Sequence, residues 1–458
     1  MNSDHVLGME RRHRGRMQRP TPQGGLRRWG HGRMLSVAFV SSFPPRRCGI
    51  ASFTADLAQA VRQAYPYIRL GALALDPAWE ALDRKPPYPG GVDEVHPIVV
   101  EDLDSYLRAA QFLETGGWDV INLQHEYGLF GGDQGEYVLH LLRHTRLPVV
   151  ATLHTVLRRP DEKQRQILVE LAARSRVVVV QARSAVEILQ RLYGIDAGRV
   201  VVIPHGTPAF PSIDPGEAKR RLGFQGRPVL LTYGLLSPGK GIEQAIRALP
   251  AIKERVPSVL YVVAGQTHPN VLKLSGESYR QSLVQMAAEL GVQDNVQFVD
   301  RYLGLEELGT LLAATDVYVV PYPNEDQVVS GTLSYALAAG KAVVSTPFRY
   351  AREVVGPGRG LLCQFGDPGS LAREVLRLLD NPELRRTLEH RALAFGQSMS
   401  WDIVGSRYGR LFRWVADNPP QAVEPLEQPA SIAASTLPAR RSAGLLGANP
   451  WREAQPGR

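Results

Sequence analysis

What this chain has little of narrows its identity quickly. It holds two cysteines in 458 residues, Cys48 and Cys363. That is too few for a disulfide framework, so a reducing, cytoplasmic setting is expected. No uninterrupted apolar run nears the ~20 residues that cross a bilayer, and the arginine-rich start lacks the apolar core of a secretory signal. No G-x-G-x-x-G fingerprint follows the first strand-like run, which counts against a dinucleotide-dependent dehydrogenase. The 11 histidines are scattered without ligand spacing, so neither a metal nor another cofactor is expected.

An excess of positive charge is present, but it is local. The net charge is +8, and residues 1–33 carry eight arginines against Asp4 and Glu10, a balance of +6 that leaves only +2 for the rest. The arm has no interleaved aromatic residues, so it reads as a solvated, disordered segment rather than a nucleic-acid site. Contact between this arm and an anionic membrane face stays open, but no amphipathic stretch accompanies it. The Pro/Ala/Ser/Arg-rich residues 417–458 also read as disordered.

From Leu35 onward, short β-branched runs alternate with helical stretches, the pattern of parallel sheets covered on both faces. LSVAFVS (35–41) starts the first set and Arg199–Ile203 ends it. The run TPAFPSIDPGEA (207–218) is dense in Pro and turn formers. A second alternating set begins at Pro228–Thr232. The expected class is α/β, with two doubly wound, Rossmann-like domains facing a cleft. Residues 34–206 and 216–400 form the domains, 207–215 the linker, and 401–416 a final amphipathic helix. No repeat relates the halves. Ligands of such sheets bind outside the strand C-termini.

The segments at those strand ends carry the chemistry. After the strand ending at Pro321, Ser330-Gly331-Thr332 opens an Ala-rich helix. Small residues at a helix mouth leave N–H groups facing a cleft, a natural phosphate site. Glu325 and Asp326, just before it, would repel phosphate and so are expected beside neutral hydroxyls. Phosphate next to hydroxyls points to a nucleotide-sugar. In SSFPPRRCGIASF (41–53), Gly49 opens a helix after a proline-stiffened loop; Arg46 and Arg47 are equally well read as phosphate or surface residues. NLQHEYGLFGGDQGEY (122–137) places His125 and Glu126 at a strand end before four glycines, among them Gly131. His154 ends the next strand. LLTYGLLSPGKGIEQAI (230–246) gives Gly234, then Lys240 at a turn opening a helix, where its charge adds to the positive helix end. AGQTHPN (264–270) adds Gly265 and His268 on the same edge.

The order and spacing of these pieces, from roughly Leu35 to Val415, resemble the retaining family-4 glycosyltransferases of the GT-B fold. The resemblance implies that Gly49 approaches the donor phosphates and that His154 contacts the transferred sugar. It also implies that Lys240 and the helix mouth at Ser330-Gly331-Thr332 hold the donor diphosphate, and that the helix from Trp401 braces the first domain. Two features depart from that family's pattern. Leu235 stands where an arginine is usual, and Gln327 and Tyr335 stand where a glutamate pair is usual.

The resulting expectation is transfer of a hexosyl group from a nucleoside-diphosphate sugar to a glycan, lipid or small-molecule hydroxyl, with retention of configuration. Lys240, His154 and Glu325 are expected to be catalytic. Gly49, Gly234, Gly265, Ser330, Gly331, Thr332 and Tyr335 would bind the donor; His125, Glu126 and Gly131 would bind the acceptor or sugar. A phosphorylase on the same fold, a catalytically silent nucleotide-sugar-binding module and a nucleic-acid-binding protein are the competing readings. The oligomeric state is not legible in the sequence.

Overall fold

The computed structural model describes residues 34–46, 48–75 and 88–418. The basic arm (1–33), nearly all of the tail (417–458) and Arg47 lie outside the described residues. Thirteen strands form two sheets within them, every pair parallel.

The first sheet contains β1 (Ser36–Ser42), β2 (Arg69–Leu75), β3 (Glu94–Ile98), β4 (Val120–His125), β5 (Val149–Leu153), β6 (Val177–Val180) and β7 (Val200–Val202), in the order β3-β2-β1-β4-β5-β6-β7. The second contains β8 (Val229–Tyr233), β9 (Leu260–Ala264), β10 (Val296–Val299), β11 (Val317–Val320), β12 (Val343–Ser345) and β13 (Leu361–Leu362), in the order β10-β9-β8-β11-β12-β13. Central strands such as VVVV of β6 are buried on both faces, which is why they read as unbroken β-branched runs instead of alternating ones.

Each sheet reverses its strand order once, between β1 and β4 and between β8 and β11. A crevice opens at such a reversal because the two flanking connections leave on opposite faces. Four of the segments picked out above are the loops leaving β1, β4, β8 and β11.

The helix Trp401–Asp417 returns to the first lobe and lies on the helix Gly49–Ala64. Close approach depends on Gly405, where a Cβ would come within 2.5 Å of the Ala60 carbonyl carbon. Tyr408 adds a 3.1 Å hydroxyl contact to Thr152. The Thr207 amide donates to the Met399 carbonyl (2.8 Å), and the Trp401 amide donates to the Thr207 carbonyl (3.1 Å). The chain therefore crosses between the lobes twice at adjacent points, a narrow double hinge.

Several elements went unread in the sequence, among them the helices Pro215–Leu222 and Arg349–Val354. Leu361–Leu362 is an edge strand too short to show periodicity. Pro269–Ser275 is a helix starting at a Thr-His-Pro sequence that suggests a turn, with His268 capping it by accepting from the Asn270 amide (3.2 Å). Among the described residues no helix is long and apolar enough to cross a membrane.

Candidate active site

The two lobes enclose a cavity of about 1370 Å³, larger than the ~300–1,000 Å³ of a typical small-molecule site.

The C-terminal lobe supplies a cationic wall. After β8 the chain turns through Pro238–Lys240 and enters the helix Ile242–Arg255 by way of Gly241. Gly241 has φ +60°, and a Cβ there would meet the Pro321 carbonyl at 2.1 Å, so glycine is required for the β8 and β11 loops to lie together. Lys240 Nζ donates to the Tyr322 phenol at 2.7 Å, and that oxygen lies 2.8 Å from the Thr332 hydroxyl. Burial opposes ionisation of Tyr322, but the Lys240 ammonium and the Ser330 and Thr332 hydroxyls together hold the phenol below its usual pKa. Thr332 and Gly331 begin the helix Gly331–Ala338, and Ser330 caps it by accepting from the Leu333 amide (3.3 Å). The Gly331 and Thr332 amides have no acceptor among the described residues. They supply the uncompensated positive end of the helix.

The N-terminal lobe supplies the opposite wall, mainly from the helix Gly49–Ala64. Cys48 caps it, its sulfur accepting from the Ala51 amide (3.3 Å). A Cβ on Gly49 would meet nothing within 4 Å, so this glycine leaves open cavity rather than serving packing. Ser52, Phe53, Asp56, Gln59 and Gln63 continue along the helix face that lines the cavity. The Phe53 ring stands edge-on to both His154 and His205, with centroids 5.0 Å away in each case. His205 reaches across to the other lobe, since a Cβ on Gly331 would lie 2.9 Å from its Nε2.

His154 is tied in place. Its Nε2 lies 2.8 Å from Gln124 Oε1 and its Nδ1 lies 3.4 Å from Gln181 Nε2. Gln124 is oriented in turn by donating to Asn122 (2.6 Å), which donates to the Val150 carbonyl (3.1 Å). This chain assigns the proton of His154 to Nε2. Burial, then His205 and His125, depress its pKa to about 3. His205 is likewise lowered by burial, to about 4. The imidazoles facing the cavity are therefore neutral at pH 7.

Three carboxylates reach the cavity. Glu126 accepts from the Thr155 hydroxyl (2.5 Å) and the Tyr127 amide (3.0 Å), and burial raises its pKa nonetheless. Asp326 pairs with Arg158 of the other lobe (3.1 Å) and with Arg349 (3.6 Å). No hydrogen bond or ion pair among the described residues reaches Asp56, whose pKa burial raises to about 6. Among the described residues, no three His, Cys, Asp or Glu side chains gather into a metal-binding group.

Residues 48–209 match the model described as Glycosyltransferase Family 4, and residues 216–394 match that of Glycosyl transferases group 1. The D-inositol 3-phosphate glycosyltransferase of Salinispora arenicola is 31% identical over 328 residues, covering 65% of this chain and 68% of that protein. The chain belongs to glycosyltransferase family 4. A second D-inositol 3-phosphate glycosyltransferase, from Frankia alni, is 27% identical over 71% of this chain and 82% of its own. Two solved structures share the GT-B fold. HepE from Anabaena, in complex with UDP and glucose, has a TM-score of 0.67 at 19% identity, covering 83% of this chain and 100% of that one. Sucrose-phosphate synthase from Thermosynechococcus elongatus has a TM-score of 0.68 at 20% identity, covering 83% and 99%.

The glycosyltransferase brings Gly49, Glu126, His154, Gly234, Lys240, Ser330, Gly331, Thr332 and Tyr335 onto one cavity, together with His268. Four residues expected there do not line it. Glu325 points outward, 57% exposed and paired with Arg352 at 3.1 Å, because its backbone is committed to accepting from the Arg349 amide. Asp326 and Gln327 take the cavity side instead. His125 is fully buried behind the wall, between the rings of Tyr127 and Phe130, with neither nitrogen partnered among the described residues. Gly131 packs under the Val100 carbonyl, which a Cβ would overlap at 1.8 Å. Gly265 serves a strand-end approach, with φ +135° and the Gly234 carbonyl 2.0 Å from where a Cβ would be.

Phe53, Asp56, His205 and Tyr322 were not singled out from the sequence. His205 had a usable signal, since it follows β7 on the same sheet edge as His154. Asp56 lies one helical turn past Phe53 and had none beyond the apolar face it interrupts.

Proposed function

We propose that this glycosyltransferase moves a hexosyl group from a nucleoside-diphosphate sugar to a hydroxyl acceptor, without a metal and with retention of anomeric configuration. One observation carries the reading: Lys240 and the unpaired Gly331 and Thr332 amides share one wall of the cavity that His154 faces from the other lobe. Departure of a nucleoside diphosphate builds negative charge at that wall. A fixed ammonium and preorganised amides stabilise such charge without reorganising, usually the largest catalytic contribution. The bound UDP and glucose of HepE suit the same donor class.

The donor sugar lies toward His154 and Phe53. Neutral imidazoles there leave the cationic sugar centre of the transition state unopposed by a second positive charge. Glu126 and the loop after β4 face the acceptor side, and Arg46 and Cys48 flank it. Closure about the double hinge at Thr207 and Ser400 excludes water from the activated sugar.

The test is a thermal-shift screen of the full chain against UDP-, GDP-, ADP- and TDP-hexoses and free sugar phosphates, followed by transfer assays with the stabilising donor. NMR coupling constants of the product report its anomeric configuration. Stabilisation by sugar phosphates alone, or an inverted product, overturns the reading.

A further inference from the structure

The donor reading leaves Asp56 without a role, although it is a carboxylate on the cavity wall with no hydrogen-bonding partner among the described residues. Where it sits along the cavity decides what it meets. The helix Gly331–Ala338 has its free amides at Gly331 and Thr332, and Tyr335 lies one turn further in. At 1.5 Å per residue, that is roughly 5 Å from the mouth. On the facing helix, Phe53 stands against His154 and His205, and Asp56 again lies one turn further on. The His205 ring links the two helices, its centroid 5.0 Å from that of Phe53 and 6.0 Å from that of Tyr335, and Asp56 and Tyr335 both line the cavity beside it. Tyr302, Leu303, Leu305 and Leu308 give the same cavity an apolar part.

Ring contacts thus order the chemistries from His154, through His205 at the Gly331 helix mouth, to Tyr335, with the unpaired Asp56 one turn on from Phe53 and apolar side chains lining the same cavity. A nucleoside-diphosphate sugar presents hexose, diphosphate, ribose and base in that order. We propose that Asp56, from the lobe opposite the diphosphate wall, accepts hydrogen bonds from the vicinal 2′- and 3′-hydroxyls of the donor ribose. The inference rests on the donor reading above and adds a nucleotide contact from the N-terminal lobe. A carboxylate accepts two hydroxyl bonds at once, which the single phenol oxygen of Tyr335 cannot do. An unpaired carboxylate in a half-closed cavity also has a reason to persist if a diol satisfies it on binding, since a buried charge without partners is costly. Because Asp56 and the diphosphate site belong to different lobes, ribose binding would draw the lobes together.

The test uses the full chain and isothermal titration with UDP, GDP and ADP, then with the 2′,3′-dideoxy counterpart of whichever binds. In the wild type the dideoxy nucleotide should bind about tenfold or more weakly, as expected for losing hydrogen bonds to a charged group. In Asp56→Asn the ribonucleotide should weaken toward the dideoxy value, and the two nucleotides should become nearly equal. Equal binding of both nucleotides by the wild type, or full discrimination retained in Asp56→Asn, overturns the role of Asp56 and leaves the donor reading intact. Failure of the wild type to bind any of the three diphosphates overturns the donor reading, and this inference with it. The wild-type comparison needs no variant, so a folding defect in Asp56→Asn cannot obscure it.

Discussion

Lys240 and Tyr322 are joined by a 2.7 Å hydrogen bond that fixes the ammonium beside the mouth of the Gly331 helix. The Tyr322 ring is itself held by stacking on Phe348, with centroids 5.2 Å apart. A flexible lysine is thereby pre-positioned, and its charge would not be left to search for the diphosphate of the proposed donor. Lys240→Ala should lower kcat by roughly 10²–10³, the range seen when one transition-state donor is removed, with an unchanged unfolding midpoint. Tyr322→Phe keeps the stack and removes only the acceptor, so a smaller loss of about tenfold is expected. Wild-type kinetics for Lys240→Ala would exclude it from the reaction.

His154 depends on Gln124 for its orientation. Gln124→Ala strands a buried N–H and should cost ~1–3 kcal/mol of stability. His154→Ala should abolish transfer while nucleotide binding, measured by titration, is largely kept. Loss of both would mark His154 as a folding residue.

Glu325 offers a contrast. Its side chain is exposed and paired with Arg352, so Glu325→Gln should change kcat/KM by no more than about twofold. Steady-state kinetics of that variant separates this outward placement from the sugar-orienting role that its sequence position suggests.

The buried imidazoles give stability a pH dependence with a definite sign. His125 and His205 are lowered to about 4 and His154 to about 3, each first by burial, from an ordinary value of 6.5. The unfolded chain therefore binds protons below pH 6.5 that the folded chain refuses. Their contribution is fully present above pH 6.5 and is lost as pH falls toward about 4. Asp56 acts in the opposite direction, because its pKa is raised from 3.8 to about 6 and its burial disfavours folding as pH rises through that value. Denaturant midpoints between pH 7.5 and 5 should fall, and His125→Leu should flatten the slope. An unchanged slope would show that His125 protonates without unfolding.

The lobes are also latched on the side of Glu353. Its two carboxylate oxygens accept from the Arg183 amide (2.9 Å) and the Ser184 amide (3.1 Å), at the start of a helix in the other lobe. This is a helix cap supplied across the cleft, worth about 0.5–2 kcal/mol on the scale of side-chain caps. Glu353→Ala should raise the radius of gyration in small-angle scattering of the free protein and raise KM for the donor. Identical scattering profiles would mean that the hinge alone sets the opening.

Much of this molecule was legible one-dimensionally because its signals are local. The β-branched runs, the amphipathic stretches between them and the turn chemistry at Ser237–Gly241 depend on neighbours a few residues away, and they placed the parallel α/β class and the loops after β1, β4, β8 and β11. Helix mouths such as Ser330-Gly331-Thr332 are similarly local, because capping is decided within one turn. Side-chain direction in irregular loops is not local. Glu325 and Asp326 are adjacent and chemically alike, yet one meets solvent and Arg352 and the other meets Arg158 of the opposite lobe.

The amino-acid order alone determined two alternating half-chains, a hinge between them and a phosphate-ready helix mouth, since each is written in contacts between residues close in sequence. Only the tertiary arrangement decided that Tyr322 holds Lys240, that Phe53 stands between His154 and His205, and that Asp56 and Tyr335 line one cavity. Those pairs lie tens to hundreds of residues apart. Their geometry exists only once two sheets, each buried on both faces, have set the angle and distance between their open edges.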